Sequence, residues 1–315
     1  MSRPDTRSLS LKVSIQTLPV LLAGILAAAL LWAVPSSAQT PPEFSYSFYM
    51  STADASVAGP IYNLGLTFGE GVLDGIFPQQ SIVILDWGTP YCDGSTCGAY
   101  MVGDDGSFNS TAAVTAASEA FGEGYYFGAA GDTTATVVVA MGINNYGTWF
   151  SNIANARQEG TAWGDAVNAG NTWLSQEGYI TQASIAAAID AELDWNDYSV
   201  TKAWSNAYDA ASDNTFYYDF GDAAGCPPTG SCDNGWSQAK IEYVAWGATL
   251  AVPLPEIYNL QMAEEWGSIV AYAYNSLGTQ MYMAGVSIRR VKIQAIHVRD
   301  RTILPTNPGI TYMVN

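Results

Sequence analysis

The stretch Ile185–Asp197, IAAAIDAELDWND, decides how this chain is read. Small apolar residues lead into Asp190, Glu192 and Asp194, and aromatic Trp195 follows. In an extended strand, side chains two positions apart share a face. The spacing therefore predicts Asp190, Glu192 and Asp194 on one side of a strand and Ile189, Ala191 and Leu193 on the other. Acids on a buried strand are costly to fold unless they are partnered or put to use.

Outward from this strand, the chain repeats a rhythm of short apolar run, loop and helix. Strands are predicted at Phe44–Met50, Ser81–Asp86, Ala135–Met141, Thr215–Phe220, Ala248–Val252 and Met281–Val286. Helical spacing covers Thr111–Phe121, Ala162–Glu177, a segment N-capped by Ser199 and running to Ala211, Ser237–Trp246, and Ala263–Ala273. Residues 53–79 are glycine-punctuated and read as irregular. Such alternation argues for a parallel α/β sheet. Strands that end in Asp86, Asn144, Glu192, Asp219 and Glu256 place polar groups at one end of the sheet, which in a TIM-like (β/α)8 barrel is the active end. The expected fold is that barrel, with an incomplete or irregular last strand, because no convincing eighth strand is found. An open doubly wound sheet is the alternative, although no glycine-rich phosphate turn follows the first strand.

Residues 1–38 read as a signal peptide. Arg3, Arg7 and Lys12 precede the apolar run Leu18–Val34, and Ser36-Ser37-Ala38 supplies small residues for cleavage. An uncleaved anchor helix is the competing reading, since the run is about the lower length for a span. No later run is long and apolar enough to cross a bilayer, so none is expected after cleavage. Export agrees with the cysteines. Cys92 and Cys97 form one close pair and Cys226 and Cys232 another, read as two local disulfides. A four-cysteine zinc site fits less well, because tighter spacing and nearby histidine are usual there. His297 is the single histidine.

The formal net charge is -18, with 49% hydrophobic and 13% charged residues. The body is thus compact rather than disordered. Between residues 39 and 286 the cations are Arg157, Lys202 and Lys240 alone. Such a surface cannot neutralise a phosphate backbone, which argues against nucleic acid as partner. A neutral polysaccharide or peptidoglycan-like glycan is compatible, and so is plain solubility in an acidic or salty exterior. Residues 287–315 form a separate segment holding Arg289, Arg290, Lys292, Arg299 and Arg301, and it departs from the pattern of the 39–286 body.

The acids suit glycoside hydrolysis, which needs one protonated carboxyl and a second carboxylate. Glu192 is the candidate acid and Asp190 its partner, with Asp86, Asp219 and Glu256 as candidates for the second carboxylate. Neighbouring like charges hold one carboxyl protonated. Trp87, Tyr146, Trp195, Tyr218 and Tyr258 adjoin these acids and are candidates to stack on sugar rings, with Asn144 and Asp194 as polar contacts. Each has a plainer reading. Strand-end aspartates often cap the next helix, aromatics are often core, and acids also bind calcium. Serine nucleophile chemistry is not supported, since the chain has no G-x-S-x-G. No motif points to a cofactor, and none to a histidine-ligated metal.

At these residues the chain resembles a group of exported bacterial proteins similar to glycoside-hydrolase-like (β/α) barrels. The resemblance is carried by VVVAMGINNYG (137–147), TAWGDAV (161–167), AAIDAELDW (187–195), YYDFGDAAGCP (217–227), WSQAKIEYVAWGATLAVPLPEIYN (236–259) and AEEW (263–266). Asp190-Ala191-Glu192 is also distantly similar to the D-x-E at the strand end of muramidase-type and chitinase-type barrels, which implies Glu192 as proton donor. Ala186, Ala187, Ala188 and Ile189 stand where the chitinase-type motif has further acids, so substrate-assisted chemistry is not implied. The expected function is a secreted, extracellular glycoside hydrolase acting on cell-wall or extracellular polysaccharide. The alternatives are a barrel that binds glycan without cutting it, and a structural protein whose acids hold calcium. The enzymatic reading requires the carboxyls of Asp190 and Glu192 to face an open, wet mouth.

Overall fold

The computed structural model describes residues 44–50, 58–101 and 106–288. The leader, the basic segment from Arg289 onward and His297 lie outside them. Among the described residues, seven strands build one parallel sheet: β1 (Phe44–Tyr49), β2 (Gln80–Asp86), β6 (Thr136–Asn144), β7 (Ala183–Asp190), β8 (Tyr217–Asp219), β9 (Ala251–Pro253) and β10 (Val286–Ile288). Their order is β10-β1-β2-β6-β7-β8-β9. The strands from β1 to β9 follow chain order, and β10 returns to the edge beside β1.

This corrects the expected fold: the sheet has seven strands and is not a closed (β/α)8 barrel. Its far edges approach one another at a single parallel bridge from Glu256 to Ser287, with Ala284 N–H donating to Pro253 O at 2.9 Å and Ser287 N–H to Pro255 O at 3.0 Å. No ladder of strands joins them, so the sheet is curled but nearer to an open one. The physical reason lies in the chain itself. The long β2–β6 connection does not supply another parallel strand. It forms a separate antiparallel sheet of β3 (Thr89–Asp93), β4 (Thr96–Tyr100) and β5 (Phe108–Ser110). The last strand also lies later than expected, so residues 287–288 belong to the sheet rather than to the tail.

The helices are α1 (Ala58–Leu73), α2 (Thr111–Gly128), α3 (Ile153–Glu177), α4 (Tyr198–Ala211), α5 (Gln238–Glu242) and α6 (Leu260–Tyr272). The last two run on into π-helical turns at Tyr243–Gly247 and Ala273–Leu277. Side-chain oxygens of Ser110, Asn152, Asp197 and Asn259 accept bonds from the first turns of α2, α3, α4 and α6. Asp197, not Ser199, caps α4, and it accepts from the Ser199 N–H at 2.8 Å.

Helix α1 overturns the irregular reading of residues 53–79. Gly65 and Gly69 are there for packing rather than for turns. A Cβ on Gly65 would come within 2.1 Å of Phe121 O, and one on Gly124 of α2 within 2.1 Å of Tyr62 O. Glycine costs a helix about 1 kcal/mol against alanine. The close backbone contact of α1 with α2 outweighs that local preference.

Alternation along the strands divides the interior. One side of the sheet packs on the helices, with Trp87, Trp163, Trp204 and Trp266 all fully buried there. The other, inner side is filled by Ile84, Ala140, Ala186, Ala188, Tyr218, Phe220 and Leu254. Three alanines at adjacent strand centres let the sheet curl tightly around small side chains. Following the period of two, Asp86, Asn144, Asp190 and Glu256 continue this inner face.

Candidate active site at the strand ends

The parallel strands all finish at one end of the sheet, so inner-facing residues at the ends of β2, β6 and β7 and just after β9 contribute to a single polar layer. Asp86 closes β2, Asn144 closes β6, Asp190 closes β7, and Glu256 follows β9. All four are buried, at 2%, 4%, 1% and 4% exposure. Burial is the main reason the carboxyls of Asp86, Asp190 and Glu256 bind protons tightly. Asp86 is pushed up to about 7 although the Gly88 N–H, 3.0 Å from its Oδ1, opposes the rise. Glu256 is pushed up to about 8, with the Tyr258 hydroxyl opposing. Asp190 lies well above the usual carboxylate range, first through burial and then through Glu256, Glu192, Asp86 and Asp222.

Strand β7 stops at Asp190, so Glu192 and Asp194 do not continue its inner face as the spacing predicted. The chain turns instead, leaving Glu192 half-buried and Asp194 exposed. The expectation that the carboxyls of 190 and 192 both face an open, wet mouth fails for Asp190, which is buried, while Glu192 is partly exposed. The Glu192 carboxyl is pushed up to about 7, by burial and then by the charges of Asp222, Asp194 and Asp86.

Asn145 fixes this turn. Its Nδ2 donates to Glu192 O at 3.0 Å and to Thr201 Oγ1 at 3.2 Å, while its Oδ1 accepts from Glu192 N–H at 3.1 Å. Asn145 N–H also donates to Asp190 O at 3.1 Å. Asn196 holds the other side, donating to Asn145 O at 2.7 Å and Gly147 O at 3.2 Å. Asn144 accepts from Tyr146 N–H at 3.1 Å, so it shapes the β6 turn as much as it lines the site.

The remaining expected residues divide. Asp219 is buried on the opposite alternation phase from Tyr218 and Phe220. It accepts from Gly221 N–H at 3.3 Å and is pushed up to about 7 by burial. It closes β8 and holds the turn that follows. Trp87 is fully buried in the helix-side core and Tyr218 in the inner cluster, so neither is offered to a ligand. Tyr258 is half-buried beside Glu256, and burial and that carboxyl raise its hydroxyl. Tyr146 and Trp195 form an edge-to-face pair with centroids 5.9 Å apart, and Tyr146 is 54% exposed.

Sequence reasoning missed Asp222 and Asn145. Asp222 is half-buried, accepts from Ala224 N–H at 2.9 Å, and acts on Asp190, Glu192 and Glu256 alike. The run Asp219-Phe220-Gly221-Asp222 offered two aspartates, and strand periodicity favoured the one that turns away. The Asn144-Asn145 pair posed the same choice.

Both expected disulfides are formed, Cys92–Cys97 and Cys226–Cys232. Among the described residues no helix is long and apolar enough to cross a membrane. A surface groove lined by Thr111, Thr115, Glu119 and Asp165 holds none of the strand-end carboxyls. No protein-family model matches the chain, and comparison with curated proteins gives no match.

Proposed function

We propose that the chain is an exported carboxylate-dependent glycosidase, with Glu192 as the proton donor to the leaving glycosidic oxygen. The observation that carries this reading is the placement of Glu192. It is half-buried, its carboxyl is pushed up to about 7, and buried acids lie behind it. A general acid must hold its proton near the working pH yet reach the substrate, and Glu192 meets both conditions.

Asp222 suits the second carboxylate. It is half-exposed, and its charge is the largest electrostatic influence on Glu192. A negative charge there would stabilise a developing oxocarbenium ion or direct a water. Burial raises the carboxyls of Asp190 and Glu256, and charge on Glu192 raises them further. Tyr146 and Trp195 provide an aromatic rim on which a sugar face would stack. The near absence of cations in the body favours a neutral glycan over an anionic one. A leader with the features of a signal peptide at residues 1–38 and two disulfides accord with work outside the cell.

The test is hydrolysis of a panel of cell-wall and extracellular polysaccharides by the chain and by Glu192→Gln. We expect cleavage by the former that falls as pH rises above about 7, where Glu192 loses its proton, and a loss of about a hundredfold or more in the latter. Retained turnover in a folded Glu192→Gln removes the reading. Binding of a glycan without cleavage by either protein leaves a recognition module in its place.

A further inference from the structure

The helix α3 carries a carboxyl that the strand-end site does not use. Glu159 is fully buried, with Oε2 3.0 Å from Cys92 Sγ. Cys92 is bonded to Cys97, so its sulfur has no proton to donate. The proton in this contact must sit on Glu159, whose other oxygen, Oε1, has no hydrogen-bond partner among the described residues. Burial raises the Glu159 carboxyl well above its ordinary range, which agrees with a protonated acid. A disulfide that merely pins a hairpin needs no such neighbour, and a carboxyl without a cation is expensive to bury. Cys226–Cys232 has no carboxyl within 4.8 Å of both its sulfurs among the described residues.

We propose that Cys92–Cys97 is a redox-active disulfide, reduced by a dithiol, in which Glu159 delivers the proton to the departing Cys92 sulfur. The two cysteines face each other across the β3–β4 hairpin. The turn above them, Asp93 to Thr96, is exposed, and Gln158 of the same helix donates to Gly94 O at 2.6 Å. Opening of that turn admits the reductant. One thiolate of the dithiol attacks Cys97 Sγ, breaking the protein's S–S bond and forming a mixed disulfide. Cys92 leaves with the electron pair and takes the Glu159 proton. The second thiolate of the dithiol then attacks its own linked sulfur, closing the reagent's disulfide and releasing Cys97, which is protonated by solvent. Glu159 recovers its proton through the opened turn. Two electrons and two protons pass from the dithiol to the protein. A thiolate released without this proton would be a buried anion, so the carboxyl lowers the barrier for the bond to break.

The test uses the full chain with dithiothreitol, following each disulfide by thiol labelling and mass spectrometry, with Cys226–Cys232 as internal reference. We expect Glu159→Gln to slow reduction of Cys92–Cys97 by about tenfold or more, with the reference rate unchanged. An equal or faster rate in the variant overturns the proposal. Should that variant not fold, the infrared difference spectrum between oxidised and reduced wild-type protein decides. A protonated-carboxyl band that changes on reduction supports the proposal, and its absence overturns it. Neither measurement depends on what the strand-end carboxyls do.

Discussion

Asn145 and Glu192 grip one another through two hydrogen bonds, the asparagine amide giving to the Glu192 carbonyl at 3.0 Å and receiving from its N–H at 3.1 Å. A side chain from the end of β6 thereby sets the backbone at the end of β7, and with it the direction of the half-exposed carboxyl. Replacing Asn145 by alanine leaves both Glu192 backbone groups without these partners. We expect a loss of about 2 kcal/mol in unfolding free energy, measured by urea denaturation, and a change in the Glu192 titration followed by NMR. An Asn145→Ala protein that matches the wild type in both would show that the turn holds itself.

The buried acids make stability depend on pH in an unusual direction. Asp86 and Asp219 are pushed up to about 7 and Glu256 to about 8, from an ordinary carboxylate value near 4 in the unfolded chain. Between those limits the folded protein holds protons that the unfolded chain has released. Stability is therefore complete below about pH 4 for these groups and is lost as pH rises through about 7 to 8. Asp132 and Asp197, held low by hydrogen bonds to Thr134 and Ser199, act in the opposite sense as pH falls below the ordinary value, and more weakly because they are largely exposed. The thermal midpoint should be higher at pH 5 than at pH 8, and Asp86→Asn should flatten that difference. A midpoint that rises from pH 5 to pH 8 would contradict the burial of these carboxyls.

Two glycine substitutions should act with opposite sign. A methyl on Gly65 would have to occupy space 2.1 Å from the Phe121 carbonyl oxygen, so Gly65→Ala should cost about 3 kcal/mol by forcing α1 from α2. Gly267 lies on the exposed face of α6, where an added Cβ meets nothing within 4 Å. Gly267→Ala should stabilise the chain by about 1 kcal/mol. Calorimetry on the two variants checks both signs at once.

The aromatic rim separates binding from folding. Tyr146 touches Trp195 edge to face but is mostly open to solvent. Tyr146→Ala should change unfolding free energy by no more than about 1 kcal/mol. If the rim carries a sugar, the same variant should weaken glycan affinity about tenfold. Isothermal titration with soluble oligosaccharides reads the second effect. Unaltered affinity would place the sugar elsewhere.

Much of the parallel sheet was legible because buried strands declare themselves as short apolar runs. Ser81–Asp86 lies within β2 and Ala135–Met141 overlaps β6 from Thr136, and the polar residues Asp86 and Asn144 at the strand ends follow from the same periodicity. The glycine-rich run that became α1 was not legible, since Gly65 and Gly69 answer backbone at Phe121–Ala129, 56 residues or more further along the chain, rather than a local turn. Glu192 and Asp194 were misplaced for a related reason. Strand periodicity was extended two residues beyond the point where Asn145 bends the chain away.

Composition and spacing alone determined that this chain builds a parallel α/β sheet, joins its cysteines in two local pairs, and gathers acids where strands end. These are properties of neighbouring residues, and local chemistry is enough to fix them. Tertiary structure alone decided how many strands the sheet has, which carboxyls share one charged neighbourhood, and that Asp222 belongs to it while Asp219 turns aside. Those outcomes depend on electrostatic and packing distances between segments far apart in the chain, and no window of sequence contains them.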